Sequence, residues 1–234
     1  MKILRPSFIL FALTLIGTLS ACSAKKHDLT TDAGTLAEGE RYMNDDFYEE
    51  ARKQFYRIKT EFPQSSLQVQ ADLKIAESYY REESYKTAAS SYEEFIKTYP
   101  GRPEIPDALF SLGMCYVQQM PSTAQRDTRA TAKVVDTFTR LLVDYPNNSH
   151  IAEAQKHIIE ARHQLADKIF EIGRFYEKMG DYDAAAKRYA EFVDQYADNP
   201  RVGEAMEREA RSLRRAGKNE QADAVDAKIK AMKK

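Results

Sequence analysis

The 234-residue chain contains no tryptophan and only two cysteines, and it has no excess of basic over acidic side chains. Because Cys22 and Cys115 are the only cysteines, the fold cannot depend on the several disulfides that hold small secreted domains together. The 35 basic and 36 acidic residues give a formal net charge of −1, whereas proteins that bind nucleic acid usually carry a basic surface. We therefore expect no nucleic-acid partner and a fold stabilised by packing.

The sequence also lacks a hydrophobic run long enough to span a bilayer. The uncharged, largely apolar residues 8–19 number about twelve, and a membrane-spanning helix needs roughly 20. Lys2 and Arg5 come before this run, and a charged start followed by a short apolar core is typical of a secretory signal. The pattern predicts a signal peptide over residues 1–21.

The letters LSAC at residues 19–22 resemble the lipobox of bacterial lipoproteins. The resemblance implies that Cys22 carries a covalent lipid and begins the mature chain; no other cofactor is expected. Ser23 stands where an aspartate favours inner-membrane retention in lipoproteins, so we expect the protein at the periplasmic face of the outer membrane. The alternative is an ordinary cleaved signal with an incidental cysteine. Residues 22–32 show no apolar periodicity and predict an acylated N-terminus followed by a flexible tether.

A pattern of small and aromatic residues repeats along the rest of the chain. A small residue is followed three positions later by an aromatic residue or leucine. In most units an alanine stands twelve positions after the small residue and begins the apolar face of a second helix. These are the positions of tetratricopeptide repeats, which are helix-turn-helix units. The pattern predicts an all-α superhelical solenoid over residues 33–234, with repeats at about 33–65, 68–102, 105–148, 150–199 and 201–232. The small and large residues are Gly39 and Tyr42, Ala76 and Tyr79, Gly113 and Tyr116, Gly173 and Tyr176, and Ala210 and Leu213.

The spacing between the third and fourth repeats is longer than the other spacings and indicates that residues have been added at two places. The second-helix residues of the third repeat, beginning at Val134, stand nine positions late, which predicts an insertion within residues 118–133. The remaining excess is close to four turns at 3.6 residues per turn. It predicts one long helix from about His150 to Met179.

The last repeat departs from the pattern. Asp226 stands where Phe55, Tyr92 and Tyr189 stand in other repeats. A polar residue there suits a terminal cap that faces water, so we expect the fold to end with this repeat. Stacking of the five repeats is expected to form a right-handed superhelix with a concave groove.

The lipobox, the five repeats, the loop-inserted third repeat and the elongated fourth repeat together resemble the BamD family. These are the tetratricopeptide lipoproteins of the outer-membrane β-barrel assembly (BAM) complex. The stretches EIPDALFSLGMCYVQQM and ARHQLADKIFEIGRFYEKMGDYDAAAKRY carry much of the resemblance, which covers roughly residues 35–215. It implies a non-enzymatic scaffold whose N-terminal repeats bind unfolded outer-membrane β-barrel substrates. Its C-terminal repeats would bind the periplasmic domains of the barrel-forming BamA-type subunit, alongside other BAM lipoproteins.

Three residues are candidate contacts under this resemblance. Arg188 matches the arginine at which the family contacts its barrel partner; a solvated helix arginine is the alternative. Tyr56 and Tyr80 each follow a core position by one residue and are candidates for a substrate groove, although most aromatic residues of the first two repeats are expected to be packing. The basic residues between 207 and 218 form either a docking edge or a solvated helix face.

No motif in the sequence indicates catalysis or a metal site. His150, His157 and His163 are seven and six positions apart, which does not place ligands one helical turn apart. Known nucleophile, zinc-protease and phosphate-loop motifs do not occur. We therefore expect no enzymatic activity and no bound metal. The alternative function is a tetratricopeptide lipoprotein adaptor that recruits an envelope protease or a cell-wall enzyme.

Overall fold

The computed structural model describes residues 27–123 and 127–232, which form ten α-helices and contain no strand. Within those ranges no helix is both long enough and apolar enough to cross a bilayer. The predicted signal peptide and Cys22 lie outside the described residues. The helices are α1 (Asp32–Asn44), α2 (Tyr48–Glu61), α3 (Gln68–Arg81), α4 (Tyr85–Thr98), α5 (Ile105–Gln118), α6 (Arg129–Asp144), α7 (Ile151–Met179), α8 (Tyr182–Gln195), α9 (Val202–Arg215) and α10 (Asn219–Met232).

The helices form five consecutive helix-turn-helix pairs. Each helix packs chiefly on the helix before it and the helix after it in the chain. Repeat one is α1 and α2, and the next four pairs are repeats two to five. Because a single pair can bury only one face, the hydrophobic clusters extend from each repeat into its neighbour. The predicted all-α solenoid of five tetratricopeptide-type repeats is confirmed.

In three repeats a glycine of the first helix lies directly against an aromatic ring of the second helix. Each of these rings is fully buried, and a Cβ atom on the glycine would overlap it. Burying one such ring contributes about 1.5–3 kcal/mol to stability. Glycine is required at these positions because a side chain would keep the two helices too far apart for the ring to be buried in this way. The pairs are Gly39 with Phe55, Gly113 with Phe138, and Gly173 with Tyr189.

The turn inside four of the repeats contains one residue with left-handed backbone, seven positions after the small residue of the first helix. Gly180 (φ 79°) and Gly217 (φ 78°) adopt this conformation without strain. Asp46 (φ 62°) and Glu83 (φ 61°) adopt it despite having a Cβ atom, which is unfavourable. In repeat three the same position is Met120, where the chain enters the insertion.

Helix α7 contributes to two hydrophobic clusters. Ala154 and Ala161 pack in the cluster that α7 shares with α3 to α6. Ala166 and Phe170 pack in the next cluster, with α8 and α9. The helix has 29 residues and agrees with the predicted long helix, except that His150 is its N-cap. The additional turns therefore extend the first helix of repeat four, so that its N-terminal half packs on repeat three.

The predicted insertion is the connection between α5 and α6, of which residues 124–126 lie outside the described part of the chain. Its described ends are attached to α7. The side-chain amide of Gln164 donates to the carbonyl of Pro121 and accepts from Thr131 Oγ1 at 2.7 Å. Lys168 Nζ donates to Thr128 Oγ1 at 3.0 Å. The long helix thus holds both described ends of the loop.

The residues before α1 contact repeat one. The carbonyl of Leu29 accepts a hydrogen bond from Arg57 Nη2 at 3.3 Å. Asp32 already lies in α1, and its carboxylate accepts from Ser65 Oγ at 2.6 Å. The tether predicted over residues 22–32 therefore extends too far, because its last residues are fixed by hydrogen bonds to α2 and to the turn after it.

Candidate partner-binding surfaces

A groove of about 500 Å³ lies between the second helices of repeats one and two. Tyr56 of α2 stands at its edge with 45% of its surface exposed. Ile75 of α3 lines the groove from the first-helix side. The opposite wall comes from α4 and is largely formed by hydroxyl-bearing side chains, namely Thr87, Ser90, Ser91 and Thr98.

Two of the three charged groups in this groove are bound to each other. The Asp72 carboxylate lies 2.7 Å from Lys59 Nζ and accepts a hydrogen bond from Tyr99 Oη at 2.7 Å. Burial, followed by this hydrogen bond, raises the pKa of Tyr99 to about 12. Glu94 of α4 also lines the groove and accepts a hydrogen bond from Thr98 Oγ1 at 3.2 Å, so the groove offers an aromatic ring and hydroxyl groups beside one carboxylate. Such a surface suits an extended segment with aromatic side chains and without acidic groups.

Tyr80 lies away from this groove. Its ring is half-buried against the cluster formed by α3 to α6 and lies edge-on to Tyr85 at 5.4 Å between centroids. Burial is the main reason that the pKa of Tyr80 is raised. The structure therefore does not bring Tyr56 and Tyr80 to one site, and Tyr80 acts mainly in packing.

Arg188 lies on α8 with 42% of its side chain exposed. Its Nη1 atom donates to Glu191 Oε2 at 2.6 Å, one helical turn further on. An exposed pair of this kind contributes little to stability, in the range of about 0–1 kcal/mol. The guanidinium is therefore accessible to a partner, and the cost of exchanging Glu191 for a partner carboxylate is small.

Most of the basic residues between 207 and 218 bind groups of the same chain, which favours a solvated helix face over a free basic edge. Lys187 and Lys218 both bind Asp183 and lower the pKa of its carboxyl to about 2. Asp226, at the position predicted to cap the array, is half-buried and bound by Arg214. The remaining pairs are Arg208 with Glu177, Arg214 with Asp223, and Arg215 with the hydroxyl of Tyr182.

His150, which caps the long helix, His157 within that helix, and Cys115 are packing groups. The rings of His150 and His157 stack on Phe110 and Phe138, with centroids 4.0 and 5.8 Å apart. Cys115 is fully buried, and burial raises the pKa of its thiol to about 12, which makes it a poor nucleophile. Among residues 27–123 and 127–232, no three His, Cys, Asp or Glu side chains are placed to hold a metal ion.

A second groove was not anticipated from the sequence. It lies between α7 and α9, the first helices of repeats four and five, and Phe175 and Arg208 line it. The sequence did contain a signal for it. Phe175 precedes the core residue Tyr176, so α7 carries apolar side chains on more than the one face that packs.

The helix pairs and the exposed grooves define a tetratricopeptide-repeat protein, a class that works by holding partners on its surface. Residues 30–228 match the family YfiO, described as an outer membrane lipoprotein. The chain belongs to this family, which agrees with the resemblance to BamD found in the sequence.

Several relatives with curated names cover most of the chain. The protein named outer membrane protein assembly factor BamD from Rickettsia prowazekii is 28% identical over 218 residues, covering 92% of this chain and 86% of the relative. The protein of that name from Neisseria gonorrhoeae is 26% identical over 215 residues, covering 85% and 80%. That from Caulobacter vibrioides is 25% identical over 224 residues, covering 93% and 73%.

Among solved structures, the chain is similar to the TPR2AB domain of yeast Sti1 in its pHSP90 complex. The identity is 17%, the match covers 86% of this chain and 76% of that one, and the TM-score is 0.44. The repeat assignment depends on the helix pairs described above rather than on this similarity.

Proposed function

We propose that this chain is an outer-membrane protein assembly factor, a non-enzymatic lipoprotein scaffold of the BAM complex. The observation that carries the proposal is the family match over residues 30–228, together with relatives of that name that align along most of their length. A repeat array with two exposed grooves suits a scaffold, because two partners bound to one body meet at a raised effective concentration.

The scaffold is held at the periplasmic face of the outer membrane by a lipid on Cys22. Support comes from the LSAC motif at residues 19–22 and from the description of the family as outer membrane lipoproteins. Acyl chains contribute about 0.8 kcal/mol per buried methylene, so several chains give durable anchoring. Cys22→Ser is expected to yield an uncleaved or soluble precursor in membrane fractionation. A variant that still sediments with the outer membrane after cleavage would contradict the anchor.

Unfolded β-barrel substrates bind the N-terminal repeats. A barrel strand before folding has alternating aromatic side chains and unpaired backbone groups. The groove beside Tyr56 supports this role, since it combines an exposed ring with the hydroxyls of Thr87, Ser90 and Thr98. Tyr80 is the less favoured contact because it is half-buried against the adjacent cluster.

The BamA-type barrel subunit binds the C-terminal repeats through its periplasmic domains. Arg188 is the proposed contact, since it is exposed and paired only with Glu191 of its own helix within the described residues. Other lipoproteins of the complex are further partners.

A mild-detergent pull-down of the acylated protein from native membranes, followed by mass spectrometry, tests the proposal. We expect stoichiometric recovery of a barrel subunit with periplasmic repeat domains. Cys22→Ser prepared from the same cells is the matched control for membrane-dependent recovery. Recovery of an envelope protease or a cell-wall enzyme instead would place the protein among adaptors.

A further inference from the structure

The groove between α7 and α9 combines apolar and basic side chains on the first-helix side of repeats four and five. Its volume is about 800 Å³. It lies on different helices from Arg188, which belongs to α8. Its lining residues are Lys168, Glu171, Ile172, Arg174, Phe175, Glu177, Lys178 and Arg208.

The apolar lining residues of this groove, Ile172 and Phe175, belong to an apolar stripe on α7 that continues to Met179 just outside the lining. Ile172, Phe175 and Met179 are three and four positions apart, so they lie on one side of the helix. Phe175 is 58% exposed and Met179 is 67% exposed. The Phe175 ring lies edge-on to Tyr176 at 5.7 Å between centroids, a contact that favours one ring orientation. Exposed apolar residues that adjoin one another, rather than being scattered, mark a docking site.

The acidic residues of the groove are already paired, and two of the basic residues are not. Glu171 binds Arg174 at 3.0 Å, and Glu177 binds Arg208 at 2.8 Å. Lys178 makes no ion pair with any residue that the structure describes, and the hydrogen bond from Lys168 goes to the neutral hydroxyl of Thr128. Asp127 lies close enough to Lys168 for that lysine to help lower the pKa of its carboxyl, but Asp127 is already ion-paired with Arg129. The groove lining therefore has an excess of basic groups, four against two acidic groups.

Lys168 precedes the apolar stripe by about one helical turn, and Lys178 lies beside its C-terminal end. Ten residues separate Lys168 from Lys178, which corresponds to about 15 Å along a helix axis. A complementary ligand therefore presents apolar side chains at its centre and carboxylates toward both ends. An acidic amphipathic helix has this arrangement, and a groove between two helices accepts such a helix.

We propose that this groove binds an acidic amphipathic helix of a partner protein. The apolar face of that helix packs on Phe175 and Met179, while its carboxylates bind Lys168 and Lys178. The groove is formed in advance by the Glu177 to Arg208 pair, which links α7 to α9, so little ordering is needed on binding. The site adds to the proposed scaffold function and does not depend on it.

The test uses the full chain in detergent and a fluorescein-labelled acidic amphipathic peptide as the probe, measured by fluorescence anisotropy. Two matched peptides replace either every carboxylate by its amide or every apolar anchor by alanine. We expect saturable binding of the acidic probe, weakened at least about tenfold by Phe175→Ala and by Lys178→Gln. Binding should also weaken as salt increases, since exposed charges are screened.

Control variants away from the groove are Phe47→Ala, which removes an exposed ring of repeat one, and Lys156→Gln, which changes an exposed lysine in the first half of α7. Both should bind the probe like the unmodified protein. Circular dichroism checks that the altered proteins remain helical, as expected for exposed positions. The proposal is overturned by absence of saturable binding, by equal affinity for the amide peptide, by full affinity in Phe175→Ala, or by loss of binding in Arg188→Glu.

Discussion

Gly173 of α7 and Tyr189 of α8 cross so closely that no side chain fits between them. A Cβ atom on Gly173 would lie 2.8 Å from Cε1 and 2.9 Å from Cζ of Tyr189. The tyrosine is fully buried, and its ring is rigid, so it cannot move aside without shifting the helix. Gly203 of α9 provides a contrast, because a Cβ atom there would meet only open space.

We predict that Gly173→Ala destabilises the protein. Overpacking a buried contact costs about 1–3 kcal/mol. The higher helix propensity of alanine returns only about 0.5–1 kcal/mol, so destabilisation prevails. Gly203→Ala should be neutral or stabilising, since it gains propensity without a clash. Urea denaturation measures both, and Gly173→Ala should become nearly neutral in a Tyr189→Leu background. Equal effects of Gly173→Ala in both backgrounds would show that the ring is not the cause.

Glu83 offers a site for stabilisation. Its left-handed backbone (φ 61°) costs a residue with a Cβ atom about 1–2 kcal/mol, and glycine avoids this cost. The larger conformational entropy of glycine in the unfolded chain offsets about 0.4–1 kcal/mol of this gain in stability. Glu83→Gly is therefore expected to raise the free energy of unfolding by about 0.5–1 kcal/mol, and Gly180→Ala to lower it by a similar amount. A lower urea midpoint for Glu83→Gly would contradict this account.

Tyr116 should make stability depend on alkaline pH. Burial, followed by its hydrogen bond to Glu93, raises the pKa of Tyr116 to about 12. The unfolded value is about 10, so the contribution of the protonated ring is fully present below about pH 10 and is lost as the pH rises toward about 12. Urea midpoints at about pH 9 and 11 should therefore fall less in Tyr116→Phe than in the unmodified protein. Tyr182→Phe, at the start of α8, is the control and should reproduce the full decrease; an unchanged decrease in Tyr116→Phe would refute the prediction.

Arg188 should matter for the partner and not for folding. Reversing its charge repels a partner carboxylate, so Arg188→Glu is expected to weaken retention of the barrel subunit at least about tenfold in pull-downs. Arg140→Glu is a matched control, because Arg140 is also an exposed second-helix arginine with one carboxylate partner, Asp144, a helical turn away. Helicity should remain unchanged in both variants. Equal retention by the two variants would make Arg188 a surface residue without a partner role.

The repeat architecture could be predicted because the close helix crossings require particular residue types at fixed spacing. Gly113 and Phe138 are recognisable in the sequence despite the insertion, since the crossing that joins them admits only a small residue opposite a ring. The long helix α7 was predictable for a related reason. Whole helical turns were added, so the apolar face stays aligned through Ala154, Ala161 and Phe170.

Other features depend on contacts that residue types alone do not specify. Nothing in the sequence distinguishes Tyr56, which is exposed, from Tyr80, which is half-buried, because each follows a core position by one residue. The left-handed conformation at Asp46 could not be predicted from the sequence, because the residue is not a glycine. The pairing of Glu177 with Arg208 brings together residues of two repeats, and only the stacking of those repeats reveals it.

The continuity of α7 has a mechanical consequence. A helix of 29 residues is about 44 Å long at 1.5 Å per residue, and it contains no proline or internal glycine other than Gly173, which is clamped by Tyr189. It therefore resists bending and fixes the distance between the two hydrophobic clusters in which its ends pack. The partners proposed for the N-terminal and C-terminal repeats would therefore keep a fixed distance and a fixed relative orientation.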